Sequence, residues 1–363
     1  MNKKLSILLA LLLASVFSFA GCKKDAKKDD TTAKKEVAKT ATKETKGTTK
    51  KDANTKKEVA TKGTASKLDL SYFPENAVIV GSFNIKEFYA IKELKPIFAE
   101  AFAEAKKEGI DLEKLTFLSY YMNLDSLKKA DDVAVLVNNF TITEELLTKM
   151  KLKVKKEKYN GFELLLEPNA EGGFVTLGKD LLAGSTKSIK KMLDVKSGKA
   201  KSLASSEAGK EFKLALSKSG NAAFKIVFVP NKLATEQMAN LSKGQGAMAA
   251  EFLNNIKSAS FSISISKDAF TFGFLFHSSK AGVDQVVAIA KPQLAMLTQP
   301  NSPMLGMVQP ILGKEGTEIL TKVIKTLKVN NDGEYLAISF STKFEYWQKA
   351  PKIFGDAMKK MGK

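Results

Sequence analysis

"ASFSISISKDAFTFGFLFH", residues 259–277, alternates apolar and small polar side chains on both sides of Lys267-Asp268. Successive side chains of a β-strand point to opposite faces of the sheet, so this alternation predicts two half-buried strands. A two-residue turn at Lys267-Asp268 puts every phenylalanine on one face and the serines with His277 on the other. The predicted pairs of the apolar face are Ile265/Phe270, Ile263/Phe272, Phe261/Phe274 and Ala259/Phe276. We expect helices to cover this apolar face, and a lipophilic cavity lined by the phenylalanines is the alternative.

The rest of the chain alternates similar strand patterns with amphipathic helical patterns. Asn160-Gly161 is a strong short signal for a β-hairpin. Further strand patterns lie at 77–85, 116–122, 132–139 and 222–229. Another hairpin is predicted at 172–185, and a later one is predicted to turn at Asp332-Gly333. Helical patterns lie at 86–108, 207–218, 231–256, 281–297 and 314–327, with a kink expected at Pro96. The sequence therefore predicts an α+β fold in which antiparallel β-hairpins pack with long amphipathic helices.

The order of these elements occurs twice along the chain. A strand, a long helix, antiparallel strands and further helices follow one another in residues 67–219 and again in residues 220–363. We expect two related α+β halves with a boundary near Gly220, although direct sequence identity between the halves is weak.

The N-terminus has the features of an export signal. A short positive start is followed by an uncharged apolar run from Leu5 to Phe19. A bilayer span takes about 20 apolar residues, so this shorter run suits the core of a signal peptide over residues 1–21. The run ends in Phe19-Ala20-Gly21-Cys22, and Cys22 is the only cysteine of the chain.

These four residues resemble the lipobox of bacterial lipoproteins, in which signal peptidase II cuts before a diacylated cysteine. The resemblance covers only the first 22 residues, and Phe19 departs from the leucine usual at that place. It implies that Cys22 is the lipidation site, with the diacylglyceryl-cysteine anchoring the protein in a membrane. An ordinary secretory signal and an uncleaved anchor are the alternatives.

A low-complexity segment separates Cys22 from the body. Residues 23–66 contain 14 lysines and seven acidic residues, no aromatic residue, and only Val37 and Val59 as large aliphatic residues. Such a segment cannot bury enough apolar surface to offset its ordering entropy, which predicts a disordered tether over residues 22–66. A flexible coil of this length spans roughly 35–40 Å on average.

The basic charge of the chain is carried by one residue type. The formal net charge is +19, and all 58 basic residues are lysine. Base-edge and phosphate recognition favour the planar guanidinium of arginine, so we expect no nucleic-acid partner. Anionic glycan, lipid and peptidoglycan are the partners that this charge favours, and solubility alone is the simpler explanation.

One short segment concentrates lysines. "KMKLKVKK", residues 149–156, places Lys151, Lys153, Lys155 and Lys156 around apolar residues. These four lysines could form a strip that binds an anionic ligand. The alternative is an edge strand whose lysines prevent pairing with another sheet.

The usual catalytic and metal-binding patterns are missing from the sequence. His277 is the only histidine, which excludes a site with several histidine ligands. We predict that His277 has a structural or surface role. Ser-x-x-Lys occurs at 126–129, 188–191 and 264–267 without the accompanying motifs of serine acyl-enzymes. Residues 330–334 hint at a calcium loop but lack the remaining ligand spacing, so a hairpin turn explains them better.

Together these features predict a non-enzymatic lipoprotein of the bacterial cell envelope, at the outer membrane or cell surface, with no cofactor. It would serve as a binding, adhesion or structural module. The second hypothesis is a carrier or chaperone for lipophilic molecules, with helices folded over a phenylalanine-lined sheet. A hydrolase that uses carboxylates from distant segments is the third.

Overall fold

The computed structural model describes residues 68–361, apart from 108, 124–131, 150, 169–170, 243–246 and 300–301. The predicted signal peptide, Cys22 and the predicted tether lie outside the described residues. Within the described part the chain combines α-helices with one large antiparallel β-sheet, which confirms the mixed α+β class.

Twelve strands and ten α-helices are formed by the described residues. The strands are β1 (Ile79–Phe83), β2 (Leu118–Asn123), β3 (Asp132–Val137), β4 (Lys155–Tyr159), β5 (Phe162–Leu166), β6 (Gly172–Leu177), β7 (Asp180–Ser185), β8 (Phe224–Phe228), β9 (Ser258–Ile265), β10 (Ala269–His277), β11 (Lys328–Asp332) and β12 (Tyr335–Lys343). The helices are α1 (Ile85–Tyr89), α2 (Lys95–Lys107), α3 (Glu144–Lys149), α4 (Thr186–Lys196), α5 (Glu207–Lys218), α6 (Lys232–Ser242), α7 (Ala247–Asn254), α8 (Lys280–Leu297), α9 (Pro303–Ile324) and α10 (Phe344–Met361).

The predicted hairpin of residues 259–277 is confirmed pair by pair. Strands β9 and β10 place Phe272 opposite Ile263 and Phe274 opposite Phe261. The backbone N–H of Ser266 donates to the carbonyl of Ala269 at 2.9 Å and closes the two-residue turn. The Asn160-Gly161 turn is confirmed as well, because both residues have positive φ and Tyr159 pairs with Phe162.

The sheet is continuous across the predicted boundary near Gly220. Its strand order is β11-β12-β10-β9-β8-β1-β2-β3-β7-β6-β5-β4, and every neighbouring pair is antiparallel. Strand β1 pairs with β2 on one side and with β8 on the other. Residues before and after the boundary therefore share one sheet and, through Phe83 and Phe224, one hydrophobic core.

The two faces of this sheet bury different clusters. On the aromatic face, which carries Phe270 and Phe272, helices α1, α3 and α10 contribute buried side chains such as Phe88, Leu147 and Phe344. On the opposite face, named the cleft face below, α4 and α5 contribute Ile189, Leu193, Phe212 and Ala215 to a second cluster. Alternation along each strand sends neighbouring residues into different clusters, as with Tyr120 and Tyr121.

Two local predictions need correction. The helix predicted over residues 86–108 is broken into α1 and α2, and Pro96 lies in the first turn of α2. The first turn of a helix tolerates proline because its N–H groups have no partner within the helix, so no kink is needed there. The hairpin predicted to turn at Asp332-Gly333 turns at Gly333-Glu334 instead, one residue later, because Asp332 already pairs with Tyr335.

Candidate ligand-binding cleft

A row of polar side chains crosses the centre of the cleft face. Lys225 of β8 is directly opposite Ser82 of β1, and Ser82 is directly opposite Ser119 of β2. Directly paired residues of antiparallel strands have Cβ atoms about 4.5–5.5 Å apart, so these three side chains are neighbours. Leu136 of β3 continues the row. This row forms the floor of a cleft.

Two adjoining basins lie above that floor. The larger has a volume of about 960 Å³ and lies over Ser82 and Lys225, and the smaller, of about 280 Å³, lies over Ser119. Asp69 and Phe117 line both basins and therefore mark their common border. The larger volume lies in the range typical of small-molecule sites, about 300–1,000 Å³.

The walls come from segments that are distant in sequence. Residues 68–70 form one wall of the larger basin, and Lys213 and Leu216 of α5 form another. Asp69 is fixed at the start of a 3-10 turn, because its carboxylate accepts a hydrogen bond from Ser71 N at 2.9 Å. Helix α5 begins at Ser206, whose hydroxyl accepts from Gly209 N at 3.0 Å. Both walls are thus anchored by side-chain caps.

The two serines of the floor are buried yet face open space. Ser82 is 6% exposed and Ser119 is 4% exposed, and each lines a basin. Neither hydroxyl has a hydrogen-bond partner among the side chains and backbone groups of the described residues. Because each serine lines a basin, its hydroxyl is open to water there and can hydrogen-bond to a polar ligand.

Three lysines contribute positive charge to the cleft. Lys225 is half-buried, and its ammonium group donates to the carbonyl of Gly220. Burial lowers the pKa of Lys225. Lys213 donates to the carbonyl of Ala204 at 2.9 Å, and Lys179 lines the smaller basin. Within the described residues no carboxylate lies within ion-pair distance of these three ammonium groups, so they remain available to an anion.

Asparagine side chains complete the polar lining. Asn84 is held at the start of α1, where its Nδ2 donates to Glu87 Oε1 at 2.7 Å. Asn139 Nδ2 donates to Thr116 Oγ1 at 3.1 Å beside the smaller basin. The cleft as a whole presents hydroxyl, amide and ammonium groups next to the apolar side chain of Phe117, and it carries a single acidic residue, Asp69. This arrangement can bind a polar or anionic molecule.

The predicted lysine strip lies elsewhere, at the outer edge of the sheet. Strand β4 is the last strand in the order, so Lys155 and Lys156 lie on an edge strand, whereas Lys151 and Lys153 precede it and belong to no strand. Lys156 forms ion pairs with Glu144 and Glu163, each at 3.3 Å. Lys151, Lys153 and Lys155 are exposed, and Lys151 lies in a turn with φ of 51° before β4 begins. That these lysines prevent edge pairing, and that they bind an anionic ligand, both stay predictions.

His277 is not on an open surface, so the serine-bearing face of the hairpin is not uniformly exposed. Helix α5 covers its end, and His277 is 7% exposed. The Nδ1 atom lies 2.7 Å from Glu211 Oε1, and Nε2 lies 3.0 Å from Glu334 Oε2. The ring also stacks on Tyr335 with centroids 4.4 Å apart. His277 therefore has a structural role, joining α5 to strands β10 and β12.

The Ser-x-x-Lys pair at 188–191 belongs to a buried network. Ser188 is fully buried and donates to Asp132 Oδ1 at 2.6 Å, while Lys191 donates to Asp132 Oδ2. Burial alone would raise the pKa of Asp132, but the hydrogen bonds from Lys191 and Ser188 outweigh it and lower the pKa. A serine with no accessible surface and a hydrogen bond to a carboxylate has a structural role and cannot attack a substrate.

The described residues contain no cluster of three or more His, Cys, Asp and Glu side chains that could hold a metal ion. Within the same part of the chain no helix combines the length and the apolar composition that a bilayer crossing requires.

Comparisons with known proteins give structural similarity only. No protein-family model matches the chain, and no curated protein matches it. Crystal form III of TP0453 from Treponema is similar over 79% of this chain and 98% of that chain, at 9% identity and a TM-score of 0.42. Crystal form I of the same protein is similar over 80% and 99%, at 10% identity and a TM-score of 0.39.

Proposed function

We propose that this chain is a non-enzymatic binding module of a bacterial cell envelope, anchored by lipid on Cys22 and carried by the tether of residues 23–66. The apolar run before Cys22, the small residues next to it and the lack of any other cysteine support the anchor. The outer membrane or cell surface is the proposed location, where the tether would hold the body clear of the lipid head-groups.

The cleft is the observation that carries the binding role. It combines two buried serine hydroxyls without protein partners and three lysines without carboxylate partners in the described part of the chain, in a volume suited to a ligand. The groups that most resemble catalytic residues are engaged in structure: Ser188 hydrogen-bonds to Asp132, and His277 contacts Glu211 and Glu334. Their engagement favours binding over catalysis.

Anionic envelope components are the proposed partners. The cleft carries three ammonium groups against one carboxylate, and the exposed lysines before and within β4 add a second basic region. Anionic glycan, lipid head-groups and peptidoglycan all carry the charge that such surfaces attract. The absence of arginine continues to argue against nucleic acid.

The two halves are proposed to derive from one ancestral unit. Read outward from the centre, the strand orders are β1-β2-β3-β7-β6-β5-β4 in the first half and β8-β9-β10-β12-β11 in the second, so the correspondence covers the first five strands of each. In each half the first three strands of this order follow one another in the sequence. The second strand of a later hairpin, β7 or β12, then pairs with the third strand, β3 or β10. The cleft floor then lies where the two units meet, at the pairing of β1 with β8.

A carrier of lipophilic molecules is the alternative function, and the aromatic face supports it. Phe261, Phe274 and Phe340 are only half-buried, although they project from inner strands of the sheet. Their neighbours Phe270 and Phe272 are instead closely packed, with Phe270 and Phe344 centroids 4.7 Å apart. Half-buried aromatic side chains on an inner strand could line a groove that binds a lipophilic molecule.

Lipid analysis separates these two functions. Full-length protein and the Cys22→Ala variant are purified in detergent, exchanged extensively, and extracted with organic solvent for mass spectrometry. The binding module is expected to release no stoichiometric lipid from the Cys22→Ala variant. About one lipid molecule per chain in that variant would establish the carrier function instead.

A further inference from the structure

We propose that the cleft binds a sugar that carries a carboxylate or phosphate group. This inference rests on the proposed binding function and names its ligand class. It is argued from three features of the cleft: a half-buried cation, a pair of hydroxyls without protein partners among the described residues, and an aromatic side chain at the border of the two basins.

The cation lies at the floor and not at the rim. Lys225 has its ammonium near the carbonyl of Gly220, and a single backbone carbonyl leaves two of its three N–H groups to other acceptors. Lys213 is on the wall of the same basin. A half-buried ammonium without a carboxylate partner in the described part of the chain is costly to desolvate, and an anionic ligand group would offset that cost. The anionic group of the ligand is therefore placed at Lys225.

The hydroxyl pair next to Lys225 requires a ligand with several polar groups. Ser82 and Ser119 are adjacent on neighbouring strands, and each hydroxyl can donate one hydrogen bond and accept two. A fatty anion such as an alkyl carboxylate would leave both hydroxyls unpaired and buried, at a cost of about 1–3 kcal/mol for each group. A sugar ring has hydroxyls on successive carbons and can satisfy both serines at once.

Phe117 gives the third element of sugar recognition. It is 8% exposed and borders both basins, so a ligand that spans them passes over its side chain. Sugars present C–H groups on one face of the ring, and such a face packs against an aromatic side chain while the hydroxyls point to polar groups. Asn84 lies beside the larger basin and Asn139 beside the smaller, where each can pair with further sugar hydroxyls.

The test is a set of matched probes on the full-length protein in detergent. D-Glucuronate carries a sugar ring and an anion, D-glucose carries only the ring, and inorganic phosphate carries only an anion. Binding is measured by isothermal titration and by saturation-transfer NMR at low ionic strength. We expect glucuronate to bind at least tenfold more tightly than either single-feature probe.

Variants locate the binding. Lys225→Gln and Ser82→Ala should each weaken glucuronate binding at least fivefold, and Lys225→Gln should reduce the preference for glucuronate over glucose. Lys328→Gln and Ser264→Ala are matched controls on the same face of the sheet but away from the cleft, and they should bind like the parent. Circular dichroism of each variant verifies that it is folded.

The outcomes distinguish a wrong ligand class from a wrong general function. Equal binding of glucuronate and phosphate, or no loss in Lys225→Gln, would overturn the sugar-acid assignment while leaving a non-carrier binding module. Stoichiometric lipid in the Cys22→Ala protein would overturn the binding module itself. Tight glucuronate binding that Lys225→Gln abolishes and Lys328→Gln retains would establish the proposed site.

Discussion

His277 Nδ1 of strand β10 lies 2.7 Å from Glu211 Oε1 of helix α5, and this contact joins the two predicted halves of the chain. The other ring nitrogen faces Glu334, so the histidine lies between two carboxylates. The single histidine of the sequence is thus a link between a helix of the first half and strands of the second.

Replacing this histidine should destabilise the fold. His277→Ala removes one partner from Glu211, which keeps the Ser258 hydroxyl at 2.7 Å, and one from Glu334, which keeps Lys257 at 2.8 Å. The loss should therefore be that of an ordinary hydrogen bond, about 0.5–1.5 kcal/mol. Urea unfolding should show a lower free energy of unfolding by that amount. Ser262→Ala, on the same face of the hairpin but away from α5, is the control and should change it by less than about 0.5 kcal/mol. A silent His277→Ala would mean that apolar packing and the Ser258–Glu211 and Ser219–Ser260 hydrogen bonds hold α5 without the histidine.

The Asp132 network should give a characteristic pH dependence. Because the folded pKa of Asp132 is lowered, its stabilising effect is present above the ordinary aspartate pKa of about 3.9 and is lost as the pH falls through the folded value. Asp132→Asn should therefore be less stable than the parent by a constant amount from pH 5 to 8. The two unfolding free energies should converge below pH 4. A difference that does not decrease at all between pH 4 and pH 2 would show that the network acts by shape and not by charge.

Phe272 of β10 should contribute strongly to the stability of the fold through its packing on the aromatic face. Phe272 is 6% exposed and stacks on Phe340 with centroids 4.9 Å apart. Phe272→Ala should lower the free energy of unfolding by about 3–5 kcal/mol. Chemical denaturation with tryptophan fluorescence is a suitable measurement, because Trp347 stacks on Phe272. If Phe272→Ala is tolerated and lipid co-purification changes, the carrier function gains support.

The proposed lipid anchor depends on Cys22 alone. Cys22→Ala should move the protein from the detergent phase to the aqueous phase after Triton X-114 separation. Intact-mass measurement of the parent should show a chain that begins at a lipid-modified Cys22. A Cys22→Ala protein that stays in the detergent phase and keeps residues 1–21 would point to an uncleaved helical anchor.

The sequence predicts local structure well where one segment contains its own partner. The register of β9 with β10 follows from alternation around Lys267-Asp268, and α5 has the bounds that its helical pattern predicts. The cleft floor does not follow from local pattern, because Ser82 and Lys225 become neighbours only through the long-range pairing of β1 with β8. The one available signal is that Ser82 and Ser119 interrupt otherwise apolar strands. The burial of His277 was missed for the same reason, since it depends on where α5 packs.

The cleft can be tested without knowing its ligand by comparing lysine reactivity in the native envelope and after purification. Isolated membranes and salt-washed, detergent-purified protein are treated with limiting acetic anhydride, and acetylation is quantified by mass spectrometry. If an envelope ligand occupies the cleft, Lys225 and Lys213 should react several-fold less in membranes than in the purified protein, whereas exposed Lys328 should react equally in both. Equal reactivity of Lys225, Lys213 and Lys328 in the two preparations would contradict the proposal that this cleft is the binding site.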